Sequence, residues 1–176
     1  MTATFEHIQT YTLASSQNKI QFTNLPQTFT DLVFYATIKS DTSSTHGMCR
    51  FGNSAYTASG YNMMAAFARS TTNDKESYAA FNQTQVRMYH FTYLPNQANR
   101  FGIFVLSLFN YANTSVLKTY QITSGGIGAD DYAGIEIQNG YASTTSAINQ
   151  IEFGTWQYIN DLSAGTEISV YGIKKE

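Results

Sequence analysis

At 176 residues with a formal net charge of -2, the chain has the length of one β sandwich or barrel, and folding should bury about 70% of its unfolded surface without help from a metal or disulfide. Charged residues make up only 12%, against 13 Tyr and 12 Phe, so the surface is expected to be polar but nearly uncharged. Ten scattered Lys and Arg form no basic stripe for nucleic acid, and the longest apolar run, Phe101 to Phe109, is far short of the roughly 20 residues of a membrane span.

The segment Met1 to His7 lacks a basic region followed by an apolar run, so no signal peptide is recognised and synthesis in a cytosol is expected. Met1 to Phe5 reads as an extended arm ahead of a first strand, Glu6 to Leu13. Alternation is clear in Lys19 to Phe22 and in Asp31 to Lys39, where Leu32, Phe34, Ala36 and Ile38 should face inward; Asn24-Leu25-Pro26-Gln27 is the turn between them. Met48 to Phe51 follows as a strand. Helix-forming residues cluster only in Tyr61 to Ala68, which fits either a short helix or an irregular strand. The remaining predicted strands are Val86 to Leu94, Arg100 to Tyr111, Val116 to Thr123, Tyr132 to Gln138, Ile148 to Phe153 and Glu167 to Ile173.

Polar turns separate them: Asp41 to Thr45, Ser70 to Asp74, Pro95 to Gln97, Ser124 to Gly126 and Asn160 to Gly165. About ten short strands joined this way predict a single all-β domain over residues 1–176, an antiparallel two-sheet sandwich closed by a strand near its C-terminus. The run Phe101-Gly102-Ile103-Phe104-Val105-Leu106-Ser107-Leu108-Phe109 shows no alternation, which implies that both its faces are covered. Phe101, Ile103, Phe104, Val105, Leu106, Leu108 and Phe109 are therefore the expected subunit interface of a central strand.

Chemistry-bearing residues are sparse. Cys49 is the lone thiol and reads as a small buried residue; His46, three positions away, would point to the opposite face of a strand. His7, His46 and His90 have no metal-ligand spacing, and Asp130-Asp131 after the glycines lacks the alternating oxygen ligands of a calcium loop, so no metal is predicted. Glu136 and Glu152 are the only carboxylates to consider as a glycosidase pair, and each reads as a surface position on an alternating strand. Trp156 and Tyr158 offer rings for a sugar, although a core or rim aromatic is the commoner role. Lys174-Lys175 reads as a solvated tail. No catalytic residue and no cofactor follow from these patterns, and no enzyme is expected.

The segments Ile20 to Val33, Asn110 to Thr119, Ser146 to Ile151 and Ser163 to Lys174, which together span nearly the whole chain, resemble a family of small virion structural proteins of tailed bacteriophages, common in phages of aquatic bacteria. The match is weakest from Asp41 to Gln85. The resemblance implies a jelly-roll type sandwich built into a phage particle as a homo-oligomer, a trimer by preference. Its partners would be further copies of itself and the major capsid protein, on the outer capsid surface, where a decoration or cement protein bridges neighbouring shell subunits. The competing role is the receptor-binding tip of a tail or head fibre, with Tyr56, Tyr61, Tyr141, Trp156 and Tyr158 stacking on host surface glycans. No nucleic acid or membrane partner is implied.

Overall fold

Period-two burial runs through about half of the strands of a computed structural model that describes residues 3–42, 46–56, 59–70, 75–88, 100–127 and 133–175. In chain order the strands are β1 (Ala3–Thr12), β2 (Lys19–Phe22), β3 (Asp31–Ile38), β4 (Gly47–Asn53), β5 (Ala55–Tyr56), β6 (Tyr61–Arg69) and β7 (Lys75–Gln83). They continue as β8 (Val86–Met88), β9 (Gly102–Phe109), β10 (Lys118–Ile127), β11 (Ala133–Ala142), β12 (Gln150–Thr155) and β13 (Glu167–Lys175). A larger sheet has the order β1-β13-β3-β9-β10-β11-β6-β7; a smaller one has the order β2-β12-β4-β5, with β8 also on β4. All pairings are antiparallel. The expected two-sheet sandwich is thus the observed fold, with thirteen strands among the described residues.

Aromatic side chains join the two sheets. Phe34 on β3 and Phe104 on β9 meet Phe153 on β12 at ring-centroid distances of 5.3 and 5.4 Å, and Phe22 on β2 meets Phe34 at 5.6 Å. Farther along, Phe51 on β4 contacts Tyr61 and Tyr120, at 5.1 and 5.9 Å, on the larger sheet. These edge-on and offset contacts fill the interior densely. Leu32, Phe34, Ala36 and Ile38 are buried as their alternation requires, and Cys49 lies in the same core, where burial pushes its thiol far up.

Of the two alternatives left open for Tyr61 to Ala68 the strand is the one formed, because β11 and β7 hydrogen-bond it from both sides and that pairing overrides the helical preference of its alanines. Other expectations are corrected. Ser124-Gly125-Gly126, expected as a loop, lies inside β10, with Gly126 opposite Gly134. The described part of the arm, Ala3 to Phe5, belongs to β1: Phe5 pairs with Ile173 and stacks on Tyr171 at 4.7 Å. Strand β7 was missed because its edge position leaves it mostly exposed and weakly patterned. Of the strand predicted at Val86 to Leu94, only Val86–Met88 lies within the described residues; His90 and Asp130-Asp131 lie outside them.

Strand β9 does alternate in burial although its residues are nearly all apolar. Phe104, Leu106 and Leu108 are core residues, so they are not available to a partner. Ile103, Val105 and Phe109 point the other way, and Phe101 lies just before the strand with the Lys39 ammonium 5.9 Å from its ring centroid. The predicted interface set divides in two, and only its outward half is a surface.

Candidate functional site

Two outer faces of the sandwich carry unusual chemistry. On the larger sheet, strand register aligns Thr37, Ile103, Gly125, Ile135 and Ala68 in one rung across β3, β9, β10, β11 and β6. The next rung is Tyr35, Val105, Thr123, Ile137 and Ala66, and the one after it Val33, Ser107, Gln121, Asn139 and Met64. No residue of these rungs is charged on those five strands; the first rung continues to Glu167 on β13 and Lys75 on β7. Ile103, Ile135 and Ile137 are 57%, 53% and 47% exposed, an arrangement single solvent-facing strands rarely sustain.

Strand β11 shows how far this goes, because its pattern is the reverse of the expected one. Glu136 and Gln138 are buried while Ile135 and Ile137 face out, so the surface reading of Glu136 is wrong. Register with β6 and β10 decides the matter: Gln138 faces the core, where its amide reaches the Met63 sulfur at 3.0 Å, and a strand cannot turn one residue over without turning its neighbours. Around Ile103 the face is ridged. A groove of about 300 Å³ lies on its β3 and β13 side, and another of about 280 Å³ on its β10 and β11 side, where Gly125, Gly126 and Gly134 leave the floor without side chains.

The smaller sheet presents the opposite character. Gln21, Arg50 and Glu152 each sit between two core residues on their strands, and the register sets Glu152 directly opposite both of the others. Arg50 Nε donates to Glu152 Oε1 at 2.7 Å and Arg50 Nη2 lies 2.5 Å from the same oxygen. Lys19 Nζ and Gln21 Nε2 donate to Oε2 at 3.1 and 3.2 Å. The Tyr158 hydroxyl donates to Oε1 while accepting from Arg50 Nη2 at 2.8 Å. Gln21 also donates to the Tyr56 hydroxyl at 3.0 Å, and the guanidinium carbon stands 5.4 and 5.1 Å from the Tyr56 and Tyr158 ring centroids.

Glu152 is outward-pointing yet 0% exposed, because this lid of cations and rings closes over it. Burial pushes its carboxyl up, but the hydrogen bonds from Tyr158, Arg50 and Lys19 outweigh burial and hold it below the ordinary carboxylate value. For Arg50 the same balance runs from burial, which lowers, to the Glu152 hydrogen bond and charge, which leave it raised. Burial first, and then the Glu152 carboxylate, push the Tyr158 phenol far up. Tyr158 reaches its place through a tight turn after β12 in which Gln157 and Tyr158 both have positive φ, 54° and 55°. The ring crosses the strand at Gly154, where an added Cβ would stand 2.9 Å from two ring carbons.

The five predicted glycan-stacking aromatics therefore separate. Tyr56 and Tyr158 converge on Glu152. Trp156, two residues before Tyr158, takes the other side of that turn: it lies 4.4 Å from the Arg87 guanidinium and lines a pocket of about 410 Å³ with Met63 and Tyr78. Tyr141 stands on the larger sheet's outer face, 40% exposed. Tyr61 is wholly buried, its hydroxyl donating to the Phe51 carbonyl at 2.8 Å and accepting from the Phe51 amide at 2.9 Å, so it is no stacking residue. Glu136 and Glu152 are not a catalytic pair either, since one faces the interior from the larger sheet and the other the outside of the smaller.

Lys19, Gln21 and Arg50 were not singled out in the sequence, although Gln21 and Arg50, each a polar residue between two core positions, mark the outward side of their strands. Only the register brings them together. Among the described residues no group of three or more His, Cys, Asp or Glu is placed to hold a metal ion, and no helix is long and apolar enough to cross a membrane. No family model matches this chain, no curated protein is similar to it, and no solved structure matches it.

Proposed function

We propose that the protein is a structural component of a tailed-bacteriophage particle, a capsid decoration or cement protein that associates with further copies of itself and binds the assembled shell. The observation that carries this reading is the uncharged, isoleucine-studded centre of the larger sheet's outer face. A second copy is the occupant that suits it. Its centre, across β3, β9, β10, β11 and β6, holds no charge to repel its own image, with Glu167 and Lys75 only at the two ends of the first rung, and the Ile103 ridge between two grooves gives one copy both the projection and the recess that another requires. Ile103 and Val105 on β9 are then the interface residues, with Ile135 and Ile137 of β11 beside them. Resemblance of the segments from Ile20 to Lys174 to small phage virion proteins supports the particle as the setting.

Quantitative mass spectrometry of purified virions tests the reading. A copy number close to that of the major capsid protein is expected for a cement protein; absence from virions overturns it. A receptor-binding fibre tip remains the second reading, favoured by the convergence of Tyr56 and Tyr158 with two cations at one exposed site. A few copies per particle, together with binding of the purified protein to host cells, would decide for the tip.

A further inference from the structure

The cluster over Glu152 holds more positive charge than it uses. Lys19 and Arg50 face one carboxylate, which leaves a net charge of one, and both cations stay partly open to solvent, at 36% and 28% side-chain exposure. Arg50 spends Nε and Nη2 on Glu152 and Tyr158; its Nη1 group makes no hydrogen bond among the described residues. Three donors on Lys19 have one partner, Glu152. Glu152 itself is saturated, so it fixes the cations without competing for anything that approaches from outside. The rings of Tyr56 and Tyr158 flank the donors.

We propose that Lys19, Arg50, Tyr56 and Tyr158 form a binding site for an acidic saccharide, whose carboxylate meets the two cations and whose ring lies against the tyrosines. A single excess charge matches a carboxylate; a phosphate monoester carries about -1.5 to -2 at neutral pH and would leave negative charge uncompensated. A planar guanidinium held at fixed orientation recognises carboxylate geometry, and tyrosine walls accept the C–H face of a sugar. Preorganisation by Glu152 removes the ordering cost that two long, free side chains would otherwise incur on binding. The inference is independent of the particle role, since either a cement protein or a fibre tip presents this face outward from its own sheet.

The test is a titration of the purified full chain, followed by amide chemical shifts, with an oligogalacturonate, its methyl ester and inorganic phosphate as separate probes. The acid is expected to shift amides of β2, β4 and β12 and to bind at least about tenfold more tightly than the neutral ester, a difference of the size one charge contact supplies. Lys19→Gln, at a part-exposed position, is expected to weaken the acid about tenfold with the fold intact. The double variant Arg50→Gln with Glu152→Gln, which leaves no unpaired buried charge, is expected to abolish binding. Equal binding of acid and ester, unchanged affinity in Lys19→Gln, absence of shifts with the acid, or tighter binding of phosphate than of the oligogalacturonate would each overturn the proposal.

Discussion

The outer face of the larger sheet and that of the smaller one are built on opposite rules. The first is wide and uncharged through three rungs of five strands, with isoleucines standing in solvent; the second concentrates Lys19, Arg50 and Glu152 in a charge-poor chain and covers a carboxylate with tyrosines. On the small sheet the buried Glu152 carboxylate is fully satisfied within one protomer, with donors of Lys19 and Arg50 left over toward solvent. On the large sheet nothing in the protomer covers Ile103, Ile135 or Ile137, so its outward side chains contribute little to the stability of one copy.

The largest expected effect falls on the smaller sheet's face. Arg50→Ala removes the main partner of a buried carboxylate and is expected to cost about 3 kcal/mol in urea denaturation, near the lower end for a broken buried pair because Arg50 is partly exposed. Replacing Arg50 and Glu152 together by Gln should cost clearly less than that. Equal losses would mean that the charge pairing is incidental to the packing.

Gly154→Ala is the next test, since the new Cβ meets the Tyr158 ring at 2.9 Å and the ring must move off the strand. A loss of about 1–2 kcal/mol is expected, with a downward shift of the Tyr158 titration as its hydrogen bond to Glu152 opens. No change in the phenol's titration would show that the ring is not held there.

Acid should act on the same face. The carboxyl of Glu152 is lowered in the folded state, so its contribution is fully present above the unfolded value near 4.5 and is lost as pH falls through the folded value. Urea midpoints measured downward from pH 5 should therefore drop for the native chain and drop less for Glu152→Gln.

The smallest effect on protomer stability, and the sharpest on assembly, is expected from Ile103→Asp. With the side chain 57% exposed, urea stability should stay within about 0.5 kcal/mol, while sedimentation should report monomers in place of oligomers. Association of the native chain should also survive a rise in salt from 0.1 to about 1 M, because the centre of the contact holds no charge for salt to screen and Glu167 stands only at its edge. An oligomer that persists in Ile103→Asp would place the interface elsewhere.

Much of the fold was legible in the residues. Leu32, Phe34, Ala36 and Ile38 declared their burial by alternation, and Asn24 to Gln27 lies in the connection between β2 and β3, with Asn24 at positive φ as a polar turn residue tolerates. Strand β7 was not legible, because an exposed edge weakens the pattern, and the strand at Tyr61–Arg69 was legible only as one of two alternatives, because alanine preference is reversible by pairing. The site was half legible: Tyr56, Tyr158 and Glu152 were candidates, but Lys19, Gln21 and Arg50 joined them only through a register that local sequence does not encode.

By itself the sequence determined an all-β chain with a scarcely charged surface, an aromatic core and no internal disulfide, since composition and period-two patterning act locally. Tertiary structure alone decided that Glu136 is inside and Ile135 outside, and that Glu152 lies under two cations. Both depend on which strands pair and in what register, and a shift of one residue exchanges the two faces of a strand without changing a single side chain.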